Sequence, residues 1–220
     1  MIGTHTKSSF ELLVAIVKYR TVIKKIRQGV CTRYLASLPV GSIMKVVLRT
    51  EGRFHLNYGI PTRHNLLIGA GTGIAPLRAL IQEQSRLSYP RGLGTRTNTL
   101  IFGARSEKAD FFFKDEWAKL TAEGEADFKL ITAFSRDQKQ KVYVQDRIRE
   151  SGKTIADLLC NLDAHVFVCG SSGAMPKAVR EALVDVVAEN ASSDELWTRD
   201  DAESFLDALE KQGRYIQETW

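Results

Sequence analysis

The residues of this chain best suited to chemistry start at a glycine-rich turn, Gly69-Ala-Gly-Thr-Gly-Ile-Ala-Pro76. It follows a short apolar run, Leu66-Leu-Ile68, and opens a stretch with helical spacing from Ala75 to Leu87. Glycines between a strand and a helix let the main chain approach a pyrophosphate, whose charge is met by the amides of the helix N-terminus. Pro76 suits a first helical turn, where its missing N–H has no partner to lose. The spacing is not the usual G-x-G-x-x-G, so the turn alone also fits a bend that binds nothing. Gly71, Thr72 and Gly73 are the candidate phosphate contacts.

A second cluster narrows the ligand. In Phe134-Ser-Arg-Asp-Gln-Lys-Gln-Lys-Val-Tyr-Val-Gln145, a strand ends where an NAD site would carry an acid gripping the ribose hydroxyls. Here Ser135 and Arg136 stand at that point, with Lys141 and Tyr143 a few residues on. A hydroxyl, a guanidinium, an ammonium and a phenol suit a 2′-phosphate, and an Arg face can stack on adenine. A short basic cluster is often only a solvated loop, but its place after the third strand of the same sheet favours NADPH. Two further features are Val166-Phe-Val-Cys-Gly170, which delivers Cys169 to a strand end, and Trp220. A strand-end cysteine is commonly a small hydrophobe. A terminal indole is commonly loose surface, yet it can cover a flavin or nicotinamide ring.

These groups need a scaffold that gathers strand ends. From residue 65 the pattern alternates: strands at 66–68, 99–102, 128–134 and 165–169, with helices at 75–87, 112–120, 144–151, 175–189 and 201–211. Strand–helix alternation implies right-handed crossovers and a parallel sheet covered on both faces. The expectation is an α/β domain with a five-stranded parallel sheet, completed by the segment running to Trp220. Residues 88–98 read as a surface loop and 188–201 as a connector. The first sixty residues read as β structure. Strands are expected over Phe10–Tyr19 and residues 43–48, separated by a glycine and a short helix start and by the turn Leu38-Pro-Val-Gly41. Two or three strands cannot close a barrel, so residues 1–62 are expected to be part of a partial antiparallel β-barrel, and residues 63–220 a nucleotide domain.

Composition sets the limits. Of 220 residues, 44% are hydrophobic and 26% charged, as in a soluble domain with a real core. The net charge of +5 is spread without a long Lys/Arg run, which argues against a nucleic-acid partner. Three cysteines without paired spacing favour a reducing compartment, and four dispersed histidines give no metal-ligand set. With no apolar run of about 20 residues and no apolar signal at the N-terminus, a soluble, cytoplasmic protein is expected.

Together, Arg27-Gln-Gly-Val-Cys-Thr32, Gly69–Pro76, Phe102-Gly-Ala-Arg105, Ser135-Arg136, Lys141-Val-Tyr-Val-Gln145, Cys169-Gly170 and Glu218-Thr-Trp220 resemble the ferredoxin–NADP reductase superfamily. The likeness is to the C-terminal half of its diflavin reductases. Within these, Phe10–Tyr19 and the Glu-Thr-Trp ending suggest the branch that serves cytosolic iron–sulfur assembly. Microsomal cytochrome reductases, nitric oxide synthases and sulfite reductase flavoproteins are the nearest competitors.

The resemblance implies that Gly29, Val30, Cys31 and Thr32 hold the FAD pyrophosphate and that Tyr19 lines the FAD site. It assigns Thr72 and Arg105 to NADPH phosphates, and Ser135, Arg136, Lys141, Tyr143 and Gln145, with Val142 and Val144 between them, to the 2′-phosphate and adenosine. Cys169, followed by Gly170, would lie beside the nicotinamide with Glu218 near it, and Trp220 would shield the flavin. It further implies FMN in an N-terminal domain of the parent chain and an iron–sulfur acceptor protein of the anamorsin type. Two departures stand out. The family's Arg-x-Tyr/Phe-Ser motif, on the FAD phosphates and near flavin N5, is absent, and no acid occupies the Lys177-Ala178 region. The chain is therefore expected to be part of a longer protein. An isolated nucleotide-binding module without catalysis is the alternative, and an NADH-accepting two-component reductase is opposed by the Ser-Arg…Lys-x-Tyr cluster.

Overall fold

The computed structural model describes residues 10–22, 24–47, 64–86, 97–122, 128–191 and 197–220. Contacts divide the chain into two units, residues 1–50 and 51–220.

In the first unit, strands Lys18–Arg20 (β1) and Ile26–Gln28 (β2) form an antiparallel hairpin with Tyr19 opposite Arg27. Its turn is tied by the Thr21 N–H donating to Lys25 O at 2.9 Å and the Lys24 N–H to Thr21 O at 2.8 Å. Gly29 then caps helix α1, Val30–Ser37, and the Ser42 N–H donates to Pro39 O at 3.1 Å across the expected turn. Two expectations need correcting. Of the strand expected over Phe10–Tyr19 only Lys18 and Tyr19 are in a ladder, and the described part of the one expected at 43–48 is irregular. A strand exists through its neighbour's hydrogen bonds, and no described segment supplies them there. Phe10, Leu12, Ile16, Ile43 and Val47 are accordingly exposed.

The second unit follows the alternation read from the sequence. Strand β3 (Asn65–Ala70) passes through a 3-10 turn at Gly71–Gly73 into α2 (Ile74–Arg86). Strand β4 (Asn98–Ala104) leads to α3 (Glu107–Asp110) and α4 (Lys114–Ala122). Strand β5 (Phe128–Phe134) precedes α5 (Val144–Glu150) and α6 (Gly152–Cys160). Strand β6 (His165–Gly170) is followed by α7 (Met175–Asn190), α8 (Arg199–Lys211) and β7 (Tyr215–Thr219). The strands lie in the order β5-β4-β3-β6-β7, every neighbouring pair parallel. Of the expected loop at 88–98, residues 88–96 lie outside the described residues, and Asn98 already belongs to β4. The expected connector at 188–201 is narrower, since α7 runs to Asn190 and α8 begins at Arg199. Helix α6 was not anticipated; its Ile155, Leu158 and Leu159 form a short apolar stripe.

Side-chain alternation along the strands divides the core. Leu66, Ile68, Ile101, Val166 and Val168 pack with Ile148, Ile155, Leu183 and Leu206 of the α5–α8 layer. Leu67, Leu100 and Phe167 point to the other face, which α2 and α4 cover. Trp117 closes that layer by stacking on Phe128 at 5.8 Å between centroids while donating its indole N–H to Phe112 O at 2.9 Å. Helices α5, α7 and α8 are clasped by Asp185, which accepts from Arg149 Nη2 at 2.8 Å and also pairs with Arg199. Burial works against that carboxylate's charge, but the hydrogen bonds from Arg149 and Arg199 outweigh it and hold its pKa below the ordinary 3.8. Among the described residues, no helix is long and apolar enough to cross a membrane.

Candidate nucleotide-binding site

Because β3 is central, chain leaving it enters α2 on one face while chain leaving β6 enters α7 on the other. Such a reversal opens a crevice at the carboxyl ends of the two strands, the place where open α/β sheets take ligands. The glycine turn forms one wall. Gly71 has φ +58°, a left-handed conformation, with nothing within 4 Å of where a Cβ would stand. Gly73 is fully packed: a Cβ there would collide with the Cys169 carbonyl, 2.5 Å from its carbon, and lie 2.8 Å from Gly170 N. The 3-10 turn is therefore pressed against the end of β6, and it runs straight into α2, the Ile74 N–H donating back to Gly71 O and Thr72 O. Thr72 sits half-buried between the two glycines.

Register carries the remaining candidates to the same edge. Gly69 lies opposite Phe102 on one side and Cys169 on the other, Ala104 opposite Phe134, and Cys169 opposite Glu218. Beyond the strands, the Ser135 N–H donates to Ala104 O at 3.0 Å and the Arg136 N–H to Arg105 O at 2.8 Å. Arg105 and Arg136 are thereby adjacent through their main chains, and both side chains are exposed. Ser135 is buried, and its Oγ lies 3.4 Å from Ala104 O. Lys141 is exposed. Tyr143, 42% exposed, precedes α5 and donates its N–H to Asp146 Oδ2 at 2.8 Å. Gln145 is half-buried. Val142 packs against the core and Val144 lies inside it, its side chain against Gly103 near the end of β4.

Cys169 is fully buried. Burial, reinforced by the Glu218 charge, pushes its thiol up to about 12, so it is uncharged at neutral pH. Glu218 is exposed beside it. Trp220 is 57% exposed, and its main chain is fixed: its N–H donates to Gly170 O at 3.1 Å and its carbonyl accepts from the Ser172 N–H at 2.9 Å. Lys177 is exposed and pairs with Glu181 at 3.8 Å.

The FAD-site candidates lie in the other unit. The Gly29 N–H donates to Val17 O at 2.9 Å, and Thr32 Oγ1 accepts from the Val17 N–H at 3.2 Å. These bonds set Val30, Cys31 and Thr32 in the first turn of α1, with Tyr19 exposed on β1. One residue of the nucleotide edge escaped sequence reasoning. Asp137 accepts from the Glu107 N–H at 2.7 Å, and the only signal of it is an acid inside a basic loop. No group of three or more metal-ligating side chains occurs among the described residues.

A five-stranded parallel sheet with a glycine turn and a basic loop at its carboxyl edge defines a nucleotide-binding α/β domain. Residues 67–181 match the family described as oxidoreductase NAD-binding domain, and the chain belongs to it. The superfamily membership expected from the motifs thus holds. Proteins named NADPH-dependent diflavin oxidoreductase 1 are similar over nearly the whole chain. That of Emericella nidulans is 48% identical, covering 96% of this chain and 33% of its own length. The Schizosaccharomyces pombe protein is 41% identical (96% and 34%) and that of Mus musculus 38% (96% and 33%). The chain spans about a third of the length of these relatives.

Proposed function

We propose that this chain is the NADPH-binding part, with a portion of the FAD-binding part, of a cytoplasmic flavin-dependent reductase. Residues 63–220 form the nucleotide domain and residues 1–62 belong to the flavin domain. The observation that carries the reading is the main-chain splice of Arg105 to Arg136 at the sheet edge, beside a glycine turn in which Gly73 lies too close to β6 for a side chain. The residues suit the ligand: the Gly71–Gly73 turn offers main-chain amides to a pyrophosphate, and Ser135, Arg136, Lys141 and Tyr143 offer hydroxyls and cations to a 2′-phosphate.

The chemistry that NADPH and FAD supply when bound is hydride transfer between them. This chain's residues orient and screen. Cys169 is buried and uncharged at the strand end, Glu218 places a negative charge beside it, and Trp220 offers an exposed indole at the rim. In the first unit, the α1 amides following Gly29 suit the flavin nucleotide's phosphates. Onward transfer through an FMN domain to an iron–sulfur acceptor of the anamorsin type follows from likeness to the diflavin reductases.

Exchange of Arg136 for Ala, followed by NADPH and NADH titrations, tests the reading. NADPH affinity should fall by more than tenfold, the scale of a lost charge-assisted contact, with NADH little changed. An unaltered preference overturns the assignment. A second reading, a nucleotide-binding module without catalysis, is favoured by the three-residue strands of the first unit. A purified protein that is colourless and fails to reduce ferricyanide with NADPH would select it.

A further inference from the structure

Asp137 stands in a loop that also carries Arg136, Lys139 and Lys141. On charge alone it is out of place beside a site for a dianion. Its carboxylate is nonetheless engaged: Oδ2 accepts from the Glu107 N–H at 2.7 Å, and the Ser106 hydroxyl also hydrogen-bonds to it. These contacts complete a sequence of ties. The β4–β5 ladder ends at Ala104 and Phe134, and the bonds from Ser135 to Ala104 and from Arg136 to Arg105 extend it two steps. At the next step α3 begins and its first amide, on Glu107, turns away from strand pairing. Ser106 precedes that helix without capping it through its own side chain, and Asp137 takes the role from the neighbouring loop. The splice that brings Arg105 and Arg136 together is closed at its far end by this one side chain.

We infer that Asp137 is a positioning residue for 2′-phosphate selection: it locks the loop after β4 to the loop after β5 and so fixes Arg105 beside Arg136 without touching the nucleotide. This rests on the 2′-phosphate reading above. The sign of the effect separates it from simple electrostatics. If Asp137 acted only as a nearby negative charge, its removal would tighten phosphate binding; as a lock, its removal loosens it.

The test uses the full-length protein and equilibrium titration with adenosine 2′-monophosphate, with adenosine 5′-monophosphate as the reference. Asp137→Ala should bind the 2′-phosphate about tenfold more weakly, the factor that follows from one lost oriented hydrogen bond, with the 5′-phosphate unchanged. Asp137→Asn keeps an oxygen for the Glu107 N–H and should stay within about twofold of the parent on the same grounds. Circular dichroism confirms that each variant is folded. Unchanged or tighter 2′-phosphate binding in Asp137→Ala, equal loss for both nucleotides, or no rescue by Asp137→Asn overturns the inference. Arg136→Ala serves as the control. If it also leaves 2′-phosphate binding intact, the site assignment itself falls; if it weakens binding while Asp137→Ala does not, only the role of Asp137 falls.

Discussion

Gly73→Ala should damage both stability and nucleotide binding, and Gly71→Ala should separate the two effects. An added methyl at residue 73 would meet main-chain atoms of Cys169 and Gly170, the nearest carbon at 2.5 Å and the nitrogen at 2.8 Å. Ordinary contact begins near 3.4 Å, so the turn and the end of β6 must part by about 1 Å. Neither partner is a side chain able to swing away. Overpacking of this kind costs about 2 kcal/mol, or about 4–8 °C in Tm for a unit of this size. The same displacement moves the phosphate amides, and a 1 Å error in a positioned group can lower binding or turnover by tenfold or more. At Gly71 the methyl meets nothing within 4 Å, but φ is +58°, so the cost is left-handed strain of about 1 kcal/mol. Thermal unfolding and NADP+ calorimetry on both variants provide the assay. A Gly73→Ala protein as stable as Gly71→Ala, with full affinity, would refute the claim that close approach sets this turn.

Two further outcomes are open to direct measurement. With its thiol pushed up to about 12 by burial and then by Glu218, Cys169 should resist iodoacetamide at pH 8 in the folded protein and react only after unfolding. Native labelling, mapped by mass spectrometry, would contradict its placement. Asp185→Ala should cost about 1 kcal/mol at pH 7, modest because its Arg partners are half-exposed. Asp185 has a folded pKa below its ordinary 3.8, so its contribution is complete above pH 3.8 and disappears as pH falls through the lowered value. The stability gap between parent and variant should therefore close in acid, and a gap independent of pH would rule out the ionic clasp.

The nucleotide half was largely legible because its signals are local. Leu66–Ile68 and Val166–Val168 are short apolar runs of the kind a doubly covered sheet buries, and the sequence bounds of β5, Phe128 and Phe134, coincide with those of the strand. The segments over 10–17 and 43–47 misled for the converse reason: strand-forming residues declare a preference, whereas a ladder needs a partner that composition does not reveal. Helix α6 was lost because Ser151 ends one helix and begins the next turn with no intervening loop. The site candidates of the nucleotide half were readable as pieces, and their meeting at one edge is a consequence of parallel register. The bond between Asp137 and Glu107 was not readable, since it depends on how far the β4–β5 pairing runs past the strands. Val144 lies within a recognised motif yet its side chain serves the core, a division of labour that only packing discloses.

The strand order has a consequence during synthesis. β3 finds one neighbour 33 residues downstream, with Leu66 beside Thr99, and its other only 100 residues downstream, with Leu66 beside Val166. At about 5–20 residues per second, the newborn chain carries a buried, mostly apolar strand with one open flank for about 3–13 s between the making of β4 and that of β6. During that interval the half-built sheet is a substrate for chaperones and for aggregation alike, and slowing translation between residues 104 and 165 would lengthen the exposure.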